Sequence, residues 1–154
     1  MVFVRAFFVF IAMVAFSVCG EDRPPTQLPT REITVEGNGR VERLTVELAT
    51  TSAQQQQGLM FRQAMPEDAG MLFLFANDSR GGFWMRNTYL PLSIAYLDAS
   101  GVVLEIRDGK PLDDTVLTPG QSYRNVLEVN QGWFDRHGLG VGSVVRIPPD
   151  VGAR

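Results

Sequence analysis

Few side chains in this 154-residue chain are equipped for covalent or acid–base chemistry. There is one histidine, His137, one cysteine, Cys19, and one lysine, Lys110. Cys19 closes an apolar run at the N-terminus, so the rest of the chain has neither thiol nucleophile nor disulfide. A serine or threonine nucleophile needs an adjacent base. His137, the single candidate, follows a short helical stretch with no motif around it and reads as a cap or surface residue. Glycosidase chemistry needs two facing carboxylates, and no motif marks such a pair. Structural zinc and EF-hand calcium spacings are missing from the sequence, as is a glycine-rich phosphate loop between strand and helix. No cofactor is expected.

A softer chemistry is open to the methionines. Met60, Met65, Met71 and Met85 fall in one block beside Trp84. Thioethers suit Cu(I), and an aromatic face can sit over a soft cation. Leu59, Leu72 and Phe73 beside them favour the plainer role of flexible core filler.

The remaining candidates are polar or odd residues amid apolar neighbours: Arg62, Trp84, Asn87, Thr88 and Glu128. Arg62 reads first as a structural arginine forking onto a carboxylate or carbonyls. Asp68 reads as a turn aspartate bonded to its own backbone. Trp84 and Met85 alternate, so one faces the core and the other a groove or the loops. Asn87 and Thr88 precede Pro91 and suit turn hydrogen bonds. Glu128, between Leu127 and Val129, needs a partner, which Arg62 or Arg86 can supply.

These side chains must be positioned by a mainly β scaffold. Ile33–Val35 and 43–49 flank Gly37-Asn38-Gly39, a hairpin signal. Thr51 or Ser52 can cap a short helix running to about Met60. Residues 71–75 form a solid apolar run suited to a central strand. Residues 77–82 read as a polar loop, and Phe83–Met85 starts another strand. Strands are also expected over 92–97, 102–107, 125–129 and 144–147. A helical turn is expected at 133–137 and a long loop at 111–121. About eight short strands with two short helical segments indicate an antiparallel β-sandwich or partial barrel.

The N-terminus reads as an export signal. Arg5 precedes the uncharged run 6–18, which has the length of a signal h-region and is short for a membrane span. Cleavage after Cys19 or Gly20 fits plain secretion. A second reading makes Cys19 the acylated residue of a lipoprotein, and a third leaves the segment as an uncleaved anchor. Residues 1–20 are thus a signal peptide, 21–31 a proline-rich tether, and 32–149 one domain. The expected address is extracytoplasmic, periplasmic or secreted, with membrane contact only through a lipid at Cys19. A net charge of −3 disfavours nucleic acid as partner, and the domain is expected to be monomeric.

The runs GLMFR (58–62), MP-x-D-x-GMLF (65–73), FWMRNT-x-x-P-L (83–92) and the late VLEV-x-x-G (126–132) resemble the DUF192 family, also called UPF0127, over nearly all of residues 40–147. The resemblance implies a compact mainly β fold, often behind a signal peptide, of uncharacterised activity. Ser93 stands where that family commonly carries aspartate. Together these readings give an exported binding or accessory module whose apolar groove is rimmed by Arg62, Trp84, Asn87 and Glu128. Its partner is a peptide, an envelope glycan or a small apolar molecule. A cell-envelope carbohydrate hydrolase or lyase is the enzymatic alternative, and a Cu(I)-handling protein the second.

Overall fold

The computed structural model describes residues 27–151. The expected signal segment with Cys19, and most of the expected tether, lie outside the described residues. Seven strands and two short helices follow in chain order: β1 (Thr30–Gly37), β2 (Arg40–Ala49), α1 (Ser52–Gln57), β3 (Ala69–Ser79), β4 (Leu92–Leu97), β5 (Val103–Gly109), β6 (Tyr123–Asn130), α2 (Trp133–Arg136) and β7 (Val144–Arg146). The first two residues of β1, Thr30 and Arg31, come from the end of the expected tether and pair with Glu47 and Val46.

Local signals explain most of these elements. Asn38 and Gly39 both take left-handed backbone, at φ 51° and 71°, and turn β1 tightly into β2. Thr51 caps α1 in a reciprocal box: its Oγ1 accepts from the Gln54 N–H, and Gln54 Oε1 accepts from the Thr51 N–H. The helix stops at Gln57, short of Met60, because Gly58 leaves helical space at φ 49°. The expected strand at Phe83–Met85 is reduced to one bridge, Phe83 to Leu117. Gly81-Gly82 before it and the turn at Asn87 after it break any longer ladder.

The strands form one sheet in the order β5-β4-β6-β3-β2-β1-β7, with β3 at its centre. All neighbours are antiparallel except β2 and β3, which run parallel. The segment joining them carries α1 across the sheet, as a parallel pair demands. The sheet curls into a half-barrel. Its outer strands meet at one end, where Val102 bridges Val144 and the Val103 N–H donates to the Ser143 carbonyl at 2.8 Å.

Alternation along the strands sorts the apolar residues onto two faces. One cluster takes residues from all seven strands, among them Val35, Val46, Leu72, Ala95, Val103, Leu127 and Val145, with Trp133 and Phe134 of α2. The other lies on the opposite face, around Met71, Phe73, Ile94, Tyr96 and Val126, beneath the connections that carry Leu59, Met85 and Leu90. Each fully buried large apolar side chain contributes about 1.5–3 kcal/mol. Gly70 permits the tight approach of β3 to β6, since a Cβ there would stand 2.4 Å from the Glu128 carbonyl oxygen.

Candidate functional site

A half-open cavity of about 300 Å³ opens on the second face. The end of α1 and the residues after it, Gln55 to Met60, form one wall. Phe73, Phe75 and Ser79 of β3 form another, with Tyr123 and Glu128 of β6 beside them. Gly81, Gly82, Phe83, Trp84 and Thr88 complete the lining. The two-residue period of β3 puts Phe73 and Phe75 on the face already occupied by Met71. The register then lays Glu47, Met71, Glu128, Ile94 and Arg107 in one row across β2, β3, β6, β4 and β5.

Glu128 is 4% exposed, between Met71 and Ile94, which are 1% and 0% exposed. Burial alone pushes its carboxyl up to about 8, with no hydrogen bond or nearby cation opposing the shift. The expected ion pair with Arg62 or Arg86 does not form. Arg62 donates instead to Glu47 Oε2 at 2.7 Å, with both side chains about 15% exposed. Arg86 donates to Asp114 at 2.9 Å on the surface. Both arginines lie nearer in the fold to carboxylates of other segments, and Glu128 is left facing the cavity among hydrocarbon.

Three other polar lining side chains have internal partners. The Tyr123 hydroxyl donates to the Gly81 carbonyl at 2.7 Å. Thr88, 4% exposed, donates through Oγ1 to the Arg86 carbonyl at 3.3 Å. Gln55 donates through Nε2 to the Leu74 carbonyl at 2.8 Å.

Of the five residues singled out in the sequence, Trp84, Thr88 and Glu128 line the cavity, whereas Arg62 and Asn87 do not. Trp84 and Met85 do divide between outside and core, at 39% and 1% exposed. The Arg86 guanidinium stacks 4.2 Å above the Trp84 ring. Asn87 serves the backbone, where its carbonyl accepts from the Phe61 N–H at 2.8 Å. Asn87, Phe61 and Leu112 all hold positive φ, at 56°, 65° and 60°. For Phe61 and Leu112 this conformation is costly. The Leu112 N–H donates to the Thr88 carbonyl, so these left-handed turns brace one another beside the cavity.

Phe73, Phe75, Tyr123 and Gln55 were not singled out as site residues. The two-residue spacing of Met71, Phe73 and Phe75 carried the signal for the first two. The methionines divide: Met60 lines the cavity, Met71 and Met85 are buried in the second cluster, and Met65 packs against it. Among the described residues no group of three or more His, Cys, Asp or Glu side chains could hold a metal ion, and no helix is long and apolar enough to cross a membrane.

Two other polar residues belong to the framework. The Asp68 carboxylate, rather than bonding its own turn, accepts from the Trp133 indole N–H at 3.0 Å. It also lies 3.6 Å from His137 Nε2, and the His137 ring stacks on Trp133 at 4.4 Å. Ser93 joins three elements: its hydroxyl donates to Asp108 at 2.7 Å and accepts from the Gly132 N–H at 3.0 Å. A carboxylate therefore stands directly across β4–β5 from the position where the family commonly has one.

Fold and cavity together define a small mainly β half-barrel domain with an aromatic pocket on its second face. The chain belongs to the DUF192 family, described as "Uncharacterized ACR", whose model matches residues 33–147. It is similar to the crystal structure of a candidate transcription regulator from Sinorhizobium meliloti 1021. That chain is 32% identical with a TM-score of 0.76, and the match covers 79% of this chain and 96% of the other. It is also similar to a protein of unknown function from Novosphingobium aromaticivorans DSM 12444. There the identity is 36% and the TM-score 0.76, over 80% of this chain and 89% of the other. No curated protein matches the chain.

Proposed function

We propose that the domain is an exported, non-catalytic binding module that takes a small, largely apolar molecule into the cavity beneath Trp84. The observation that carries this reading is the composition of the lining: five aromatic rings, from Phe73, Phe75, Phe83, Trp84 and Tyr123, around one carboxyl. Concave, mainly apolar sites with a few polar groups are the usual form of ligand pockets. A glycan hydrolase of the usual kind needs two carboxyls, and this lining holds one. Export rests on the signal-like residues 1–20, and the net charge of −3 runs against a nucleic-acid surface.

Benzyl alcohol is a suitable neutral probe. Titrated into the isotope-labelled protein, it is expected to shift the Trp84 indole and the Phe83 and Tyr123 ring resonances together and saturably. Shifts scattered over residues remote from the lining, or no shift up to millimolar probe, would overturn the proposal.

A further inference from the structure

We propose that the natural ligand of this cavity is a primary amine on an aromatic or short apolar body, with its ammonium set against the Glu128 carboxylate and its body among the rings of Phe73, Phe83, Trp84 and Tyr123. This inference rests on the binding reading above and names the ligand class for the same site. The first ground is a buried carboxyl without a partner. Glu128 is 4% exposed, lines the cavity and has no partner, and the lining contains no Lys, Arg or His. A buried polar group without a partner is costly, and a buried charge more so. The group that removes the deficit is a cation with N–H donors, arriving from the open side.

The aromatic walls are the second ground. Ring faces attract cations, and desolvation strengthens the attraction. Trp84 already does this on the protein's own surface, where the Arg86 guanidinium lies 4.2 Å from its ring centre. The lining carries no cationic side chain to balance an anion, and the Tyr123, Thr88 and Gln55 side chains are engaged internally.

The charged and titratable groups on the packed elements leave this role to Glu128. On the β2 side Glu47 is neutralised by Arg62. On β5 Arg107 pairs with Glu105. On β4 the Tyr96 hydroxyl donates to the Leu117 carbonyl at 2.6 Å, and burial raises both Tyr96 and Tyr123 further above neutrality. Burial pushes the Glu128 carboxyl up to about 8, which favours the protonated form in the free protein at pH 7, and an ammonium beside it is expected to favour the ionised form. Binding expels that proton to the buffer.

The test is calorimetric titration of benzylamine and benzyl alcohol into the protein, in two buffers of different ionisation enthalpy. Benzylamine is expected to bind more tightly than benzyl alcohol at pH 7 with release of about one proton, and its affinity to rise about tenfold between pH 6 and pH 7. Glu128→Gln, which has the shape of the neutral acid, is expected to weaken benzylamine by at least roughly tenfold and to weaken benzyl alcohol by much less. If benzyl alcohol binds as tightly as benzylamine to the unaltered protein, or if benzylamine binds without releasing a proton, the amine inference is overturned and the apolar-ligand reading stands. If neither probe binds in the cavity, both fall. The proton count is read on the unaltered protein, so it decides the matter even if the variant folds poorly.

Discussion

Arg62 donates to Glu47 Oε2 at 2.7 Å, and this one contact withholds from Glu128 the partner that its place in the sequence suggested. The Leu28 N–H donates to the same Glu47 oxygen at 3.0 Å, so the carboxylate ties three segments together. Glu47→Gln leaves the Arg62 charge part-buried and uncompensated. Its cost is expected between those of an exposed and a fully buried pair, at about 2 kcal/mol, read from chemical denaturation. Ligand affinity is expected to stay unchanged, because neither residue lines the cavity.

Trp84→Ala separates binding from folding. Trp84 is 39% exposed and its ring contacts the cavity and Arg86. The variant is expected to keep its far-ultraviolet dichroism and to lose at most about 1 kcal/mol of stability, while benzyl alcohol binding disappears. An unfolded Trp84→Ala protein would place Trp84 in the core and remove it from the site.

Trp133→Ala gives the opposite outcome. Trp133 is fully buried against Phe134, and its N–H is satisfied by Asp68. Loss of the ring is expected to cost about 3–5 kcal/mol. Asp68→Ala, which leaves the indole N–H without its acceptor, is expected to cost about 1–3 kcal/mol. Equal thermal midpoints for Asp68→Ala and the unaltered protein would show that this hydrogen bond has no structural weight.

Glu128 also gives stability a definite pH dependence. Its carboxyl rises from 4.5 to about 8 on folding, so the folded chain binds more protons than the unfolded chain between those values. Stability contributed by this group is therefore fully present below pH 4.5, falls as pH rises, and levels off above about 8. The loss is on the order of 4–5 kcal/mol at most. Glu128→Gln cannot ionise, so it is expected to gain on the unaltered protein steadily from pH 5 to pH 8 in urea unfolding. Parallel stability profiles for the two proteins would contradict this.

How much was legible in the sequence follows from the range of each interaction. The Asn38-Gly39 turn, the Thr51 cap, the buried run 92–97 and the division of Trp84 from Met85 depend on neighbours within a few residues, and their patterns were plain. The parallel pairing of β2 with β3 depends on how the Thr50–Asp68 connection crosses the sheet, which no local pattern states. Partner choice failed for a similar reason. Glu47 and Arg62 are 15 positions apart along the chain and meet through that crossover, while Glu128 reached neither expected arginine. The strand expected at Phe83 was lost to the Gly81-Gly82 pair, whose breaking effect outweighed the bulky residues after it.

The measurement that tests the central claim most directly is the pH titration of the Glu128 side-chain carboxyl carbon by nuclear magnetic resonance, with and without benzylamine. An unpartnered carboxyl facing an apolar cavity titrates near 8 in the free protein and at a markedly lower pH when the amine is present. A midpoint near the ordinary 4.5 in the free protein, unmoved by benzylamine, would mean that Glu128 is solvated or paired and is not the unpartnered carboxyl that receives the amine.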